Sequence, residues 1–502
     1  MKTTGMAHQL TALRRMNGRK GFGLFMEQGT GKSWTMLADG ERLYSAGLID
    51  GMLVFAPKGV HTNWILREIP THMSEPVIAR AWASGMGMAQ RRKVMELFKQ
   101  RDEDEQPPLR ILAMNYDAIN TNDGFAFAKQ FLLSTKAMIV ADESSRIKNP
   151  KSERTKALMK LRDLAVYRRI GTGTPIPNAP TDVFAQMEFL EDGLCGTSNY
   201  RAFVAEYAKV IPPDHPMMRK MIQKNPRMAW AQIVEKDPET GRPIWRNIDK
   251  LQRILEPHTY RILKKDCLKD LPEKIPPKNI YFEMTPSQRK AYKLMDSKFR
   301  IEMEDGSIKT VSKLNSINKL QQITSGFVLV DGKAIYVEDK NPRLKALLEF
   351  NEYQDAPYIV WAQFREELRA IAAALREAGR RVVEYHGGIT DQRQRDKNVD
   401  DFQSGKADTF VGQPQSGGIG LTLTAAEAVV FYSNGYNLET RLHAEDRPHR
   451  IGLRHPVAYY DIVAAGTVDE PIAWALQSKK DVAHAILDPA FQRHLLRLSL
   501  AA

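Results

Sequence analysis

The chain has 502 residues, 43% of them hydrophobic and 26% charged, and a formal net charge of +13. That length exceeds what a single core serves and points to about two to four domains of a soluble globular protein. Two cysteines without ligand spacing, Cys195 and Cys267, exclude a disulfide framework or a zinc centre. No apolar run reaches the roughly 18 residues of a membrane span, and MKTTGMAHQL has no signal-peptide core, so an intracellular, cytoplasmic protein is expected. The positive excess suits a polyanion, with nucleic acid the first candidate.

In chain order, the apolar run GFGLFM (Gly21–Met26) leads into EQGTGKS and then a helix-type stretch, Ser33–Gly47. Glycines bring backbone N–H groups close to phosphates, and a helix N-terminus adds partial positive charge. Lys32 is placed to reach β and γ phosphates, and the Ser33 hydroxyl to ligand magnesium. Met26 stands where the strict pattern has glycine.

Further apolar runs, GMLVFAP (Gly51–Pro57), LRILAMNY (Leu109–Tyr116) and KAMIVADE (Lys136–Glu143), alternate with helix-type spacing such as Met88–Lys99. RDEDEQPP (Arg101–Pro108) reads as an exposed charged loop. This alternation predicts a parallel α/β sheet with ligands at the carboxyl ends of its strands. Asp142-Glu143 closes one such strand, with Asp142 suited to magnesium and Glu143 to orienting water; a solvated acidic loop is the alternative. GTGTPIPN (Gly171–Asn178) follows, a corner of small hydroxyl residues suited to sensing a γ-phosphate and otherwise a plain turn.

After about residue 196 the spacing becomes helical and rich in Met, Pro and basic residues, with a turn-rich KDPETGRP (Lys236–Pro243). From about residue 341 the α/β rhythm returns in PYIVWAQ, RRVVEYHGG, DTFVGQ and AEAVVFYSN. The expected organisation is two α/β lobes, 1–195 and 341–488, a mainly helical insertion, 196–340, and a tail, 489–502. Near the end, AEDRPHRIGLRHP carries Arg447 and Arg450, whose three-residue spacing on one helix would put both guanidiniums on a single face.

EQGTGKS, DESSRIKN, GTGTPIPN and EDRPHRIG, in that order, resemble the motifs of the Snf-two family of superfamily-two DNA translocases, in a compact bacterial- or phage-type form. AHQLTAL resembles the family's adenine-reading motif, with Gln9 in the key place. FAPKGVHTNWILRE resembles its first DNA-contact motif. ILEPHTYRILKKDCLKDLPEK with FEMTPSQRKAY resembles its insertion segment, and SGGIGLTLTAAEAVVFY its fifth motif. Departures are Ser144-Ser145 where Ala-His or Gly-His is frequent, Pro177 for a common glutamine, and Gln415 for a frequent arginine.

The resemblance implies two RecA-like lobes that hold ATP and Mg²⁺ between them. Gln9, Gly29, Thr30, Gly31, Lys32, Ser33, Gly418 and Gly420 would bind the nucleotide, and Ser33 and Asp142 the metal. Lys32, Asp142, Glu143, Arg447 and Arg450 would carry hydrolysis, the two arginines as fingers. Lys58, Asn115, Arg146, Lys148, Gln363 and His386 would contact DNA, double-stranded or branched, although His386 reads equally as a satisfied strand-end histidine. Trp64 and Trp361 read as core. The implied activity is that of a monomeric, DNA-dependent ATPase translocating on duplex. Its rivals are a strand-separating or branch-remodelling helicase and a remover of DNA-bound proteins.

Overall fold

A computed structural model describes residues 1–476 apart from 59, 83–84, 99–106, 177–178, 236, 238–242, 305–309, 332, 338–340, 418–420, 436, 471 and 474–475. Within it lie two compact units that meet in sequence at Cys267 and Leu268. Much of RDEDEQPP and KDPETGRP, together with Pro177 and the expected tail 489–502, lies outside the described residues.

The first unit is built on a seven-stranded, wholly parallel sheet. Its strands are β1 (Gly21–Met26), β2 (Gly51–Ala56), β3 (Val77–Ala81), β4 (Leu109–Asn115), β5 (Ala137–Asp142), β6 (Tyr167–Gly171) and β7 (Thr259–Ile262), in the spatial order β3-β4-β2-β5-β6-β1-β7. β5 shows why these runs are strands buried on both faces. Ile139 and Ala141 enter one core with Leu53 and Leu112, while Met138 and Val140 enter the opposite core with Met52 and Val54. The expected helix at Met88 is present over Met88–Met95, followed by a 3-10 turn, Glu96–Phe98.

The second unit repeats the plan. β8 (Lys278–Phe282) precedes an antiparallel hairpin of β9 (Phe327–Val330) and β10 (Lys333–Tyr336). β11 (Tyr358–Trp361), β12 (Val382–Tyr385), β13 (Thr409–Gly412), β14 (Ala428–Phe431) and β15 (Ala458–Ala464) then join β8 in a parallel sheet ordered β12-β13-β11-β14-β15-β8. Along β11, Ile359 and Trp361 face one core and Tyr358 and Val360 the other.

The stretch 196–340 does not form one separate helical body. Its helices Tyr200–Tyr207, Pro216–Lys224 and Ile248–Leu255 belong to the first unit, where β7 pairs with β1. Helices Pro286–Glu304 and Thr310–Thr324 belong to the second, where β8 pairs with β15. β7 and β8 are edge strands of four and five residues with charged or exposed positions, too short and too polar for the buried-strand pattern. β6, also absent from the sequence reading, is central but contains Arg168 and Arg169.

Arg169 is fully buried and is tolerated because Asp39, also fully buried, accepts from its Nε at 2.8 Å, while the carbonyls of Lys20 and Arg168 accept from Nη1. Removing one partner of such a pair leaves an uncompensated buried charge, at a cost of about 3–5 kcal/mol. Asp39→Ala is therefore expected to lower the melting temperature of this unit by several degrees, measured by circular dichroism or calorimetry; an unchanged midpoint would show that the pair is dispensable.

Candidate active site

β6 is hydrogen-bonded to β5 on one side and β1 on the other, with Gly171 opposite both Asp142 and Leu24. The carboxyl ends of three parallel strands therefore lie side by side, and EQGTGKS, DESS and GTGTP leave from them together. This is where an open α/β sheet binds ligands.

Met26 ends β1 with its side chain in the core, so the tight turn falls to Gly29 and Gly31, at φ +83° and +84°. The left-handed φ is what requires glycine at Gly31; a Cβ there would also lie 1.9 Å from Gln9 Nε2 and displace that side chain. Gln9 donates to the Thr30 carbonyl at 3.2 Å, accepts from Met6 N–H at 2.8 Å and is buried. His8 reaches the same carbonyl at 2.8 Å, and the Thr30 hydroxyl donates to the Glu27 carbonyl at 2.7 Å. Glu27 in turn accepts from the N–H of Lys264, two residues past β7, at 2.7 Å. The loop is thus fastened from both sides, and His8 and Glu27 are contributors that the sequence reading missed.

Lys32 opens the helix Lys32–Ser45, is buried, and donates from Nζ to the Met26 carbonyl at 3.0 Å and more weakly to that of Glu27 at 3.5 Å. Its ammonium is held inside the loop by neutral acceptors that stronger, charged ones can replace. Ser33 follows Lys32 in the same first turn and is half-buried.

Asp142 and Glu143 are both buried. Burial first, and then the neighbouring Glu143 charge, push the Asp142 carboxyl above its usual range, while Trp64 and Lys32 pull it part of the way back. Trp64 N–H donates to Asp142 Oδ2 at 3.0 Å, and the Tyr116 hydroxyl to the Asp142 carbonyl at 2.8 Å. Trp64 is a core residue as expected, fully buried, but it also positions the acid; it opens a π-turn, Trp64–Glu68, a feature frequent at functional sites. Its indole N–H, a donor that usually finds a partner when buried, finds one here in Asp142.

Glu143 sits at φ +54° in the left-handed region, unusual for a residue with a Cβ and a long side chain. Thr172, the first residue past β6, donates its hydroxyl to Glu143 Oε2 at 3.2 Å and accepts from Thr174 N–H at 3.1 Å. The small-hydroxyl corner is therefore wired to the acid. The Ser144 hydroxyl donates to Gln186 Oε1 at 2.7 Å, and Gln186 Nε2 donates to the carbonyls of Pro175 and Asp182. The departure at Ser144 thus ties the acid turn to the corner after β6.

In the second unit, Arg447 and Arg450 do not share a helix. The helix Leu438–Glu445 ends before them and they lie in the turn that follows. Arg447 is fully buried and donates to the carbonyls of His443 at 2.8 Å and Leu421 at 3.1 Å. Arg450 is half-buried and donates to the Asp446 carbonyl at 3.2 Å. Beneath them Arg441 is bracketed by Glu445 and Asp461, and Lys274 by Glu445 at 2.5 Å and Asp446 at 3.7 Å. Burial opposes the charges of Lys274 and Arg441, but these carboxylates outweigh it and hold both cations above their ordinary range.

Gly418 and Gly420 lie outside the described residues. Of the six expected DNA contacts, Lys58 and Arg146 are exposed, and Lys148 is half-buried, 3.8 Å from Asp182. Asn115 is not displayed: it is buried, and its Oδ1 caps the 3-10 turn after β4 by accepting from Asp117 and Ala118 N–H, because a strand-end Asx side chain satisfies the turn's donors. His386 follows β12 and accepts from Gly388 N–H at 3.1 Å, with Glu384 3.5 Å away, so its surroundings are those of a satisfied strand-end histidine. Gln363 is half-buried, and its main chain bonds Glu367, Ser433 and Gln413.

A family model described as SNF2-related domain matches residues 8–326, and one described as helicase conserved C-terminal domain matches residues 339–452. The putative ATP-dependent helicase/translocase YwqA of Bacillus subtilis is 25% identical over 452 residues, 87% of this chain and 43% of that protein. The human DNA excision repair protein ERCC-6-like is 24% identical over 524 residues, 91% of this chain and 39% of that protein. The chain therefore spans less than half the length of these curated relatives. A solved structure of the Sulfolobus solfataricus SWI2/SNF2 ATPase core in complex with dsDNA is 21% identical, with 98% of this chain and 95% of that chain covered and a TM-score of 0.40. With the first family model spanning well over half of its residues, the chain belongs to the SNF2-related family.

Proposed function

We propose that this chain is a DNA-dependent ATPase that uses hydrolysis to move along double-stranded DNA. The observation that carries the reading is the junction at the ends of β1, β5 and β6, where a lysine-bearing glycine loop, a buried acid pair and a hydroxyl bonded to the second acid occur together. Family membership supports the same assignment.

The donors at this junction fit magnesium. A buried carboxylate, Asp142, and a hydroxyl, Ser33, are hard oxygen ligands, and two adjacent buried carboxylates favour a cation. When bound, the ion would neutralise phosphate charge. The chain's own residues do the rest. Lys32 exchanges the Met26 carbonyl for phosphate oxygens, Glu143 orients the attacking water and takes its proton, and Thr172 fixes the Glu143 carboxylate. We assign Arg450 to the charge that develops on the transferred phosphoryl group, a role worth about 10³–10⁵ in rate in comparable enzymes. Arg447, whose Nε and Nη1 donate to backbone carbonyls, holds the turn that presents Arg450. Lys58 and Arg146 are assigned to the DNA backbone, and such phosphate contacts bring salt sensitivity without sequence preference.

ATP turnover is expected to rise at least tenfold with linear duplex at low salt, and to fall about 10²-fold or more in Lys32→Ala, Glu143→Gln and Arg450→Ala. Turnover indifferent to DNA, or stimulated by RNA alone, would contradict the reading. The two late arginines should separate in a melting experiment: Arg447→Ala is expected to destabilise its unit by about 2–4 kcal/mol, and Arg450→Ala by less than about 0.5 kcal/mol. Equal losses would remove the distinction. Asp142→Asn is expected to fold with an unchanged or raised melting temperature, since one of two crowded carboxylates is neutralised, and to lose the extra thermal shift that magnesium adds to ATP.

A further inference from the structure

Most described tryptophans are interior: Trp34, Trp64, Trp82 and Trp361 are all buried. Trp230 is 73% exposed, at the end of the 3-10 turn Pro226–Trp230 in the first unit. It is held there from one side. Arg201 lies 5.2 Å from its ring centroid and donates to its carbonyl at 2.7 Å, while Gln232 donates to the Arg201 carbonyl at 2.8 Å. The indole borders a groove of about 340 Å³ whose walls include Lys151, Thr181, Tyr200, Arg201 and Gln232.

The charged residues of the groove wall, Lys151 and Arg201, are both cations, and the segment leading into Trp230 is basic in sequence. Between Ile211 and Val234 the sequence has four strong cations, Arg219, Lys220, Lys224 and Arg227, against one acid, Asp214. All four are exposed, as are Arg201 and Lys151, and none of the six forms an ion pair with a described acid. A pre-positioned aromatic face with Arg201 and Lys151 in the walls beside it matches one ligand chemistry closely: a stacked nucleobase whose flanking phosphates meet lysine and arginine. In a regular duplex the base faces are already stacked on one another and unavailable to a side chain. We infer that the Trp230 groove binds an unpaired nucleic-acid strand, as found at a fork, a bubble or a single-stranded tail. This extends the proposed function by naming the form of substrate that the motor would engage, and it rests on that reading only for its biological setting.

The test is equilibrium binding to the full chain without nucleotide, using fluorescein-labelled dT15, rU15 and a blunt 20-base-pair duplex. Trp230→Ala is expected to weaken dT15 or rU15 about tenfold, Trp230→Phe to restore most of that loss, and blunt-duplex affinity to change less than twofold. Whichever of dT15 and rU15 responds identifies the strand as DNA or RNA. Single-strand affinities within twofold of wild type in Trp230→Ala would overturn the inference, as would Trp230→Phe behaving like Trp230→Ala, or an equal loss on the duplex. Because no ATP is present, these results stand apart from the proposed hydrolysis. A groove that binds dT15 in a protein without DNA-stimulated turnover would sink the motor and leave the groove, and the converse result would do the reverse.

Discussion

Two carboxylates adjacent in sequence and both buried at the end of β5 set the terms for everything around them. Left alone, Asp142 and Glu143 would be a costly arrangement, since burial and the neighbouring Glu143 charge both disfavour the charged form of Asp142. The unit answers with directed donors: Trp64 on Asp142, Thr172 on Glu143, and Lys32 near enough to lower the acidity penalty. Each donor arrives from a different element, so the pair gathers the loop after β1, the turn that begins at Trp64 and the corner after β6 into one locality. The chemistry proposed for the site follows from the same electrostatic demand, because a cation placed beside these acids relieves what the fold alone only moderates.

Much of this was legible in the sequence, for identifiable reasons. β1, β2, β4, β5, β11, β13 and β14 are interior strands, buried on both faces in short apolar runs. Gly29, Gly31, Lys32 and Ser33 could be read because their spacing is dictated by the backbone they must build. What escaped notice had its cause in partners distant along the chain. β6 looks unlike a strand until Asp39, 130 residues earlier, is seen to neutralise Arg169. β7 and β8 read as parts of a helical stretch because each is short and lies at an edge. Asn115 read as a DNA contact, since nothing in a strand-end asparagine shows that its oxygen will cap the next turn. The arginine turn failed on geometry: three-residue spacing implies a shared helical face only where the helix continues, and here it stops at Glu445.

The second unit shows how the turn that carries Arg450 is supported. Half-buried Lys274 and buried Glu445, Arg441 and Asp461 form a run of alternating charge, with the Arg441 guanidinium carbon 3.5 Å from the Phe431 ring centroid. Alternation is what makes such burial tolerable, because every charge has an opposite neighbour. Glu445 is the last residue of its helix, so the network fixes where the chain turns, and Arg447 then stitches that turn to the carbonyls of His443 and Leu421. Arg450 inherits its position from these residues. Lysine at position 447 would not substitute well, since a single ammonium lacks the guanidinium's forked donors.

The left-handed backbone at Glu143 has a consequence for how this position tolerates change. Glycine would adopt φ +54° without strain, whereas glutamate at that angle costs on the order of 1 kcal/mol or more. Glycine would relieve that strain but would leave the Thr172 hydroxyl without its acceptor, and it would remove the carboxylate to which the proposed mechanism gives the attacking water. Under the role proposed for Glu143, backbone ease and turnover pull in opposite directions at this residue, and a screen that selects only for heat resistance would be blind to the difference.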